Sequence, residues 1–205
     1  MVTSIDTWLF LRLNVGLANP VLDRLMPFVT EFRHWLPLIV VVLAALAIRG
    51  GGRGRSAILV AILLVVVTDQ LSSSLIKPWI ARIRPCHVVE GARVIYRCGN
   101  TWAFPSSHAV NTMAAAIFFG LAWRRWLWPL VAASVLISVS RVYIGIHYPF
   151  DVMGGWLIGG ILGWGTYRLW QSHLQRLLNR IPSFRCDDRP HTPAEEDTRM
   201  GRQGA

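Results

Sequence analysis

Three short segments hold side chains whose types and spacing suit the binding and cleavage of a phosphate ester. Residues 77–85 read KPWIARIRP, residues 105–108 read PSSH, and residues 140–151 read SRVYIGIHYPFD. In the first, Lys77 offers a point charge and Arg84 a planar fork of donors, a pair suited to an anion with several oxygens. The plainer role for both is interfacial anchoring, with the charge reaching out of the membrane. In the second, Pro105, Ser106 and Ser107 precede an apolar run, as at a helix start with a serine cap. The free N–H groups and positive dipole end of such a turn attract an anion, and His108 falls in that turn. A capping serine beside an incidental histidine is the plainer reading there. In the third, His147 and Asp151 lie four residues apart across Pro149, with Arg141 upstream. Proline suits a first helical turn, which brings Asp151 back towards His147. A carboxylate that holds one imidazole nitrogen fixes the tautomer and frees the other nitrogen as a nucleophile. Two histidines, a carboxylate, three cations and two serines on one face are more than scattered anchoring predicts.

The elements that position these groups follow from composition. With 53% hydrophobic and 16% charged residues and a mean hydropathy of +0.42, the chain is too apolar for an ordinary soluble protein. A membrane-crossing helix needs roughly 20 mostly apolar residues. Five such spans are predicted at about residues 27–48, 56–76, 107–123, 126–143 and 152–170, and residues 4–19, interrupted by Asp6, Arg12 and Asn14, as an interfacial helix. The expected fold is all-α, a membrane-embedded helical bundle over residues 1–182. From residue 183 the chain lacks large apolar side chains and is expected to be a disordered cytoplasmic tail.

Charge sets the expected orientation. Arg49, Arg53 and Arg55 flank the first hairpin, Arg124 and Arg125 the second, and Arg168, Arg176, Arg180 and Arg185 follow the last span, so these ends should face the cytoplasm. The 77–105 loop and the 144–150 connection then share the outer face of a plasma membrane. The loop is itself basic, as anion binding would demand. The net charge of +10 is dispersed over span ends rather than gathered on one face, which argues against nucleic acid as a partner. The ten tryptophans suit the headgroup level. Residues 1–19 lack the basic start and clean apolar core of a cleavable signal.

Two further groups stand out. Asp69 lies in the second span with Thr68, Gln70 and the serines at 72–74, a polar stripe expected to form an interhelical hydrogen-bond network. Cys86 and Cys98 both fall in the outward loop, where a disulfide is permitted, whereas Cys186 in the tail should stay reduced.

The three catalytic segments resemble the signature of the type 2 phosphatidic acid phosphatase family: KxxxxxxRP, PSGH and SRxxxxxHxxxD, in this order and with these internal spacings. The resemblance covers about residues 63–170, and its departure is Ser107, where the signature has glycine. Serine keeps the N–H but adds a Cβ near the phosphate. The resemblance implies a lipid phosphatase that uses no metal and no cofactor. His147 would attack phosphorus, Asp151 would orient it, and His108 would protonate the leaving oxygen and then activate water. Lys77, Arg84, Ser106, Ser107 and Arg141 would hold the phosphate oxygens. A polyprenyl diphosphate such as undecaprenyl diphosphate is the expected substrate, drawn from the short chain and lean loops. Phosphatidylglycerol phosphate, phosphatidate and lipid A phosphates are the alternatives. Competing activities are a transporter that binds lipid phosphate without cleaving it, and a phosphotransferase that passes the group to an alcohol.

Overall fold

The structure is a computed structural model that describes residues 2–174; the tail expected from residue 183 lies outside the described residues. Every regular element among the described residues is helical. The long helices are α3 (Phe32–Arg49), α4 (Gly51–Gln70), α7 (Ser107–Ala122), α8 (Leu127–Tyr143) and α9 (Pro149–Leu169). Before them come α1 (Val2–Asn14) and α2 (Pro20–Thr30), and α5 (Lys77–Ile80) and α6 (Pro85–Val88) are single turns in the long connection. Phe32–Arg49, the Gly51–Val88 stretch and Arg124–Tyr143 are long and apolar enough to cross a membrane, and Ser107–Ala122 is a shorter apolar helix. Helix α9, at 21 residues, also has the length to cross. Leu38, Val41, Ile62, Val66, Leu157 and Ile161 are exposed, which lipid tolerates and water would not.

The N-terminal reading needs correction. The first helix ends at Asn14, and residues 27–30, assigned by sequence to the first span, belong to the separate helix α2. Asn19 caps α2, its Oδ1 accepting from Val21 N at 3.1 Å and Leu22 N at 2.9 Å, with Pro20 at the first position. Glu31 is extended, at φ −78° and ψ 111°, and separates α2 from α3. Nor does α1 rest free at the interface. Asp6, Phe10 and Asn14, one helical stripe at four-residue spacing, are all fully buried. Phe10 packs with Val142, Tyr148 and Val152, and Asn14 Nδ2 donates to Tyr143 O at 2.6 Å and Arg93 O at 2.8 Å.

Helix α4 delivers Lys77 through a π-helical turn, Leu71–Ile76, in which Lys77 N–H bonds Ser72 O. Leu64, Thr68, Ser72 and Lys77 are all buried. The spacing of four, four and then five residues stays on one face because the π turn holds an extra residue. The expected polar network is present: Asn111 donates to Asp69 Oδ1 at 3.1 Å and accepts from Thr68 Oγ1 at 2.8 Å, joining α4 to α7. At the bundle end away from Ser107, Arg53 donates to Ala122 O at 3.1 Å, satisfying a terminal carbonyl of α7.

Helices α7 and α9 approach closely because Gly155, Gly159 and Gly163 line one face of α9 against Ala109, Val110 and Ala114. A Cβ at Gly159 would press on the Val110 carbonyl and Ala114 N, backbone atoms that cannot turn aside, whereas Gly160 faces open space. Gly159→Ala is therefore expected to destabilise by about 1–3 kcal/mol through overpacking. Gly160→Ala should stabilise by up to about 1 kcal/mol through helix propensity. Melting temperatures of the two variants in one detergent, moving in opposite directions, check this.

Candidate active site

The α8–α9 turn carries the central histidine. Gly145, at φ +93°, lets the chain turn sharply beside the Arg93 carbonyl, a conformation that side chains rarely adopt. His147 follows, almost fully buried, and Pro149 opens α9 as expected. Asp151 Oδ2 accepts from Tyr148 N at 2.8 Å and lies 3.5 Å from His147 Nδ1. That separation and alignment leave Nδ1 without a hydrogen-bond partner. The two predicted partners are thus adjacent, but the carboxylate's short bonds go elsewhere.

The strongest of those goes to Arg82, which sequence reasoning treated only as one of the loop's basic residues. Its guanidinium donates to Asp151 Oδ1 at 2.6 Å and to Asp6 Oδ2 at 2.5 Å, and lies 4.1 Å from the centroid of the Tyr148 ring. Asp6 Oδ1 also accepts from Phe150 N at 3.0 Å. Both carboxylates have no exposed side-chain area, so one cation balances two buried anions. Asp6 lay outside the resembling segments, and its only sequence signal was an acidic residue in an apolar helix. Ala81, in the left-handed region at φ 49° and ψ 38°, ends α5 just before Arg82.

The predicted phosphate ligands gather round this core. Arg84 is buried, with Nε donating to Thr101 O at 2.7 Å, Nη2 to Thr101 Oγ1 at 2.7 Å and Nη1 to Ile146 O at 3.3 Å. A guanidinium has five N–H donors, so two remain. Arg141 donates through Nη1 to Thr30 Oγ1 at 3.1 Å, while its buried Nε has no partner. Lys77 is buried, and its ammonium donates no hydrogen bond among the described residues. Lys77, Arg84 and Arg141 are all close enough for their charges to act on His147.

Ser106 is the N-cap residue of α7, held by its N–H to Asp151 O at 3.0 Å. Its side chain does not cap, contrary to the expected serine cap: the Oγ atoms of Ser106 and Ser107 are both buried without partners. His108, in the first turn of α7, is half-buried. Three cations thus act on one buried imidazole, and the serine hydroxyls at the start of α7 are left without partners, a combination suited to a tetrahedral oxyanion.

Cys86 and Cys98 are joined in a disulfide in this structure. With His87 their ligand atoms lie within 4.8 Å of one another, so this is the described group closest to a metal-binding set, but its sulfurs are bonded to each other.

A helical bundle with membrane-length apolar helices that holds buried cations and two histidines at one end suits a phosphorylated group at a membrane surface. The chain belongs to the PAP2 superfamily, whose family model matches residues 58–175. It is 32% identical over 189 residues to a lipid A 4'-phosphatase of Bacteroides thetaiotaomicron, covering 88% of this chain and 84% of that one. An undecaprenyl-diphosphatase of Sulfolobus acidocaldarius is 29% identical over 142 residues, covering 67% and 66%. The crystal structure of a transmembrane PAP2 type phosphatidylglycerolphosphate phosphatase from Bacillus subtilis superposes with a TM-score of 0.63 at 26% identity, covering 84% and 87%.

Removing Arg82 would leave two buried carboxylates facing each other. Arg82→Ala is expected to destabilise by about 3–5 kcal/mol, the range for stranding a buried charge. In that background, adding Asp6→Asn should restore part of the loss, although Asp6→Asn alone destabilises the wild type. Thermal unfolding of the four proteins in detergent gives the coupling, and additive effects would contradict the shared-cation arrangement.

Proposed function

We propose that this chain is a membrane lipid phosphatase that cleaves a lipid phosphate or diphosphate through a phosphohistidine. The observation that carries this reading is the set of buried, unpartnered donors, Ser106 Oγ, Ser107 Oγ and Arg141 Nε, in the segments that meet at Asp151 and His147, a histidine set against a carboxylate. Phosphate oxygens are the acceptors that would satisfy them. The names of the relatives, a lipid A 4'-phosphatase and an undecaprenyl-diphosphatase, support the substrate class.

In the first step His147 Nε2 attacks phosphorus in line, a P–N bond forms and the P–O bond to the lipid breaks. The imidazole becomes cationic, and Asp151, already beside Nδ1, stabilises that charge. His108 gives a proton to the leaving oxygen. In the second step His108 takes a proton from water, the oxygen attacks phosphorus, and the P–N bond breaks to release phosphate and neutral His147. Lys77, Arg84, Arg141, Ser106, Ser107 and the first N–H groups of α7 hold the non-bridging oxygens. Phosphoryl transfer needs mainly positioning and charge neutralisation, which these cations can supply without a metal ion. Five helices, α3, α4, α7, α8 and α9, cross the bilayer with the site on the outer face and the arginine-rich hairpins inside. The polyprenyl diphosphate is the first substrate to test, and a glycolipid phosphate the second, favoured by the greater identity and coverage of the lipid A relative.

Phosphate release from undecaprenyl diphosphate, phosphatidylglycerol phosphate, phosphatidate and lipid A, in detergent with excess chelator, tests the reading. Release should survive chelation and fall by about 10³-fold or more in His147→Ala. A folded wild type inactive on all of them would sink hydrolysis and leave binding or transport.

Burial, with the charges of Arg84, Arg141 and Lys77, holds His147 well below the ordinary histidine value of 6.5. The nucleophile therefore stays neutral as pH falls through that value. The unfolded chain takes up a proton near 6.5 that the folded chain refuses, so this residue makes stability fall as pH drops below 6.5. Between pH 6.5 and about 5, melting temperature should fall less steeply in His147→Gln than in the wild type.

A further inference from the structure

Beside Arg141, on the site's side of the bundle, the corner between α2 and α3 meets the 89–99 loop and encloses an open cavity of about 760 Å³. Its walls include Arg24, Arg33 and Arg97, all exposed, and the mechanism uses none of them. The side chains of Arg24 and Arg97 make no hydrogen bond or ion pair among the described residues. The cavity connects to the catalytic cations through neighbouring residues. Thr30, which receives Arg141 Nη1 at 3.1 Å, adjoins Glu31 in the lining, and Glu31 and Tyr96 both act electrostatically on Arg141. The lining's one carboxylate is already engaged, since Tyr96 OH donates to Glu31 Oε2 at 2.5 Å. That bond, the largest influence on Glu31, holds its pKa below the usual value, so the carboxylate stays charged, and three arginines in the lining outweigh that one anion. The remaining wall is aromatic. Phe28 and His34 stack at 4.4 Å, and His34 Nδ1 is tied to Phe28 O at 3.1 Å, so the pair is held in place.

This cavity is far larger than one phosphate group requires and falls in the roughly 300–1,000 Å³ range of small-molecule sites. Arginine forks suit a phosphate, and the aromatic faces, negative at the centre, suit the C–H faces of a sugar ring. We propose that the cavity is a headgroup subsite that receives a phosphorylated sugar, so that the favoured substrate carries a second anionic group beyond the phosphate cleaved at His147. The inference rests on the hydrolytic reading and narrows it. A lipid with a lone phosphate would occupy the catalytic site only, and a linear diphosphate would hold both its phosphates within that site.

Two probes in neutral detergent, free of other anionic lipid, separate the possibilities: phosphatidate, with one phosphate, and a bisphosphorylated glucosamine disaccharide lipid. In the double variant Arg24→Gln/Arg97→Gln, the ratio of kcat/KM for the disaccharide lipid to that for phosphatidate should fall about tenfold. The loss should lie in KM rather than kcat, because the subsite binds ground state and transition state alike. Raised salt should reduce the wild-type ratio in the same way, since these charges are exposed. Both side chains are on the surface, so the variant is expected to fold, and its melting temperature checks this. Equal losses on both lipids would reduce the arginines to general attraction of anionic headgroups and overturn the subsite. An unchanged ratio would overturn it too. Hydrolysis in the wild type without this selectivity defeats the subsite alone, whereas no release from either lipid defeats the hydrolytic reading and the subsite with it. Inorganic phosphate as a competitive inhibitor distinguishes free anion from headgroup: the double variant should alter its inhibition constant less than about twofold, and a tenfold weakening would assign the arginines to the catalytic phosphate instead.

Discussion

One guanidinium shared between two buried carboxylates holds the functional end of this protein together. An isolated charge in a low-dielectric interior is costly, and Asp151 and Asp6 are both without solvent. Arg82 lies between them, so the N-terminal helix, the turn after α5 and the first turn of α9 must meet at one point. That meeting fixes more than charge. Asp151 O accepts Ser106 N, which sets the start of α7, and Asp151 Oδ2 accepts Tyr148 N, which sets the backbone beside His147. A carboxylate next to His147 thereby serves three elements at once, and the helix that contributes Asp6 becomes part of the site's support.

The opposite constraint acts on the cations. Lys77, Arg84 and Arg141 repel one another, and the protein holds them together with neutral acceptors rather than with carboxylates. Arg84 is tethered by Thr101 and the Ile146 carbonyl, Arg141 by Thr30, and Lys77 is carried inward by the π turn. Pairing them with acidic side chains would have satisfied them and left little reason to bind an anion. Without carboxylate partners and sheltered from water, they stay available to oxygen atoms that bring negative charge. The loop that carries Thr101 is itself fastened to the α8–α9 turn, through Ile95 N to Ile144 O at 3.2 Å and through Asn14.

Much of this was legible beforehand because it depends on local pattern. Apolar runs of span length located the long helices to within a few residues, except where Asn19 and Glu31 break the chain into a separate α2. Residue type and spacing singled out His147, Asp151, His108 and the cations, since proline at the first turn of a helix and histidine four residues before a carboxylate have short-range consequences. The network at Asp69 was readable for the same reason: a polar stripe on one face of an apolar helix must find partners on another helix.

What the sequence determined by itself was the chemistry available and the face on which it gathers, because charge, side-chain type and helical periodicity are properties of neighbouring residues. Tertiary structure decided the pairing. Arg82 and Asp6 are 76 residues apart, and nothing local says that one guanidinium will serve both Asp6 and Asp151. The same holds for the serine side chains at the start of α7, which local rules assign to capping but which are left without partners, and for the cavity formed where the α2–α3 corner meets a loop 65 residues away. Burial creates the energetic demand for a partner, but only the packed helices determine which partner is within reach.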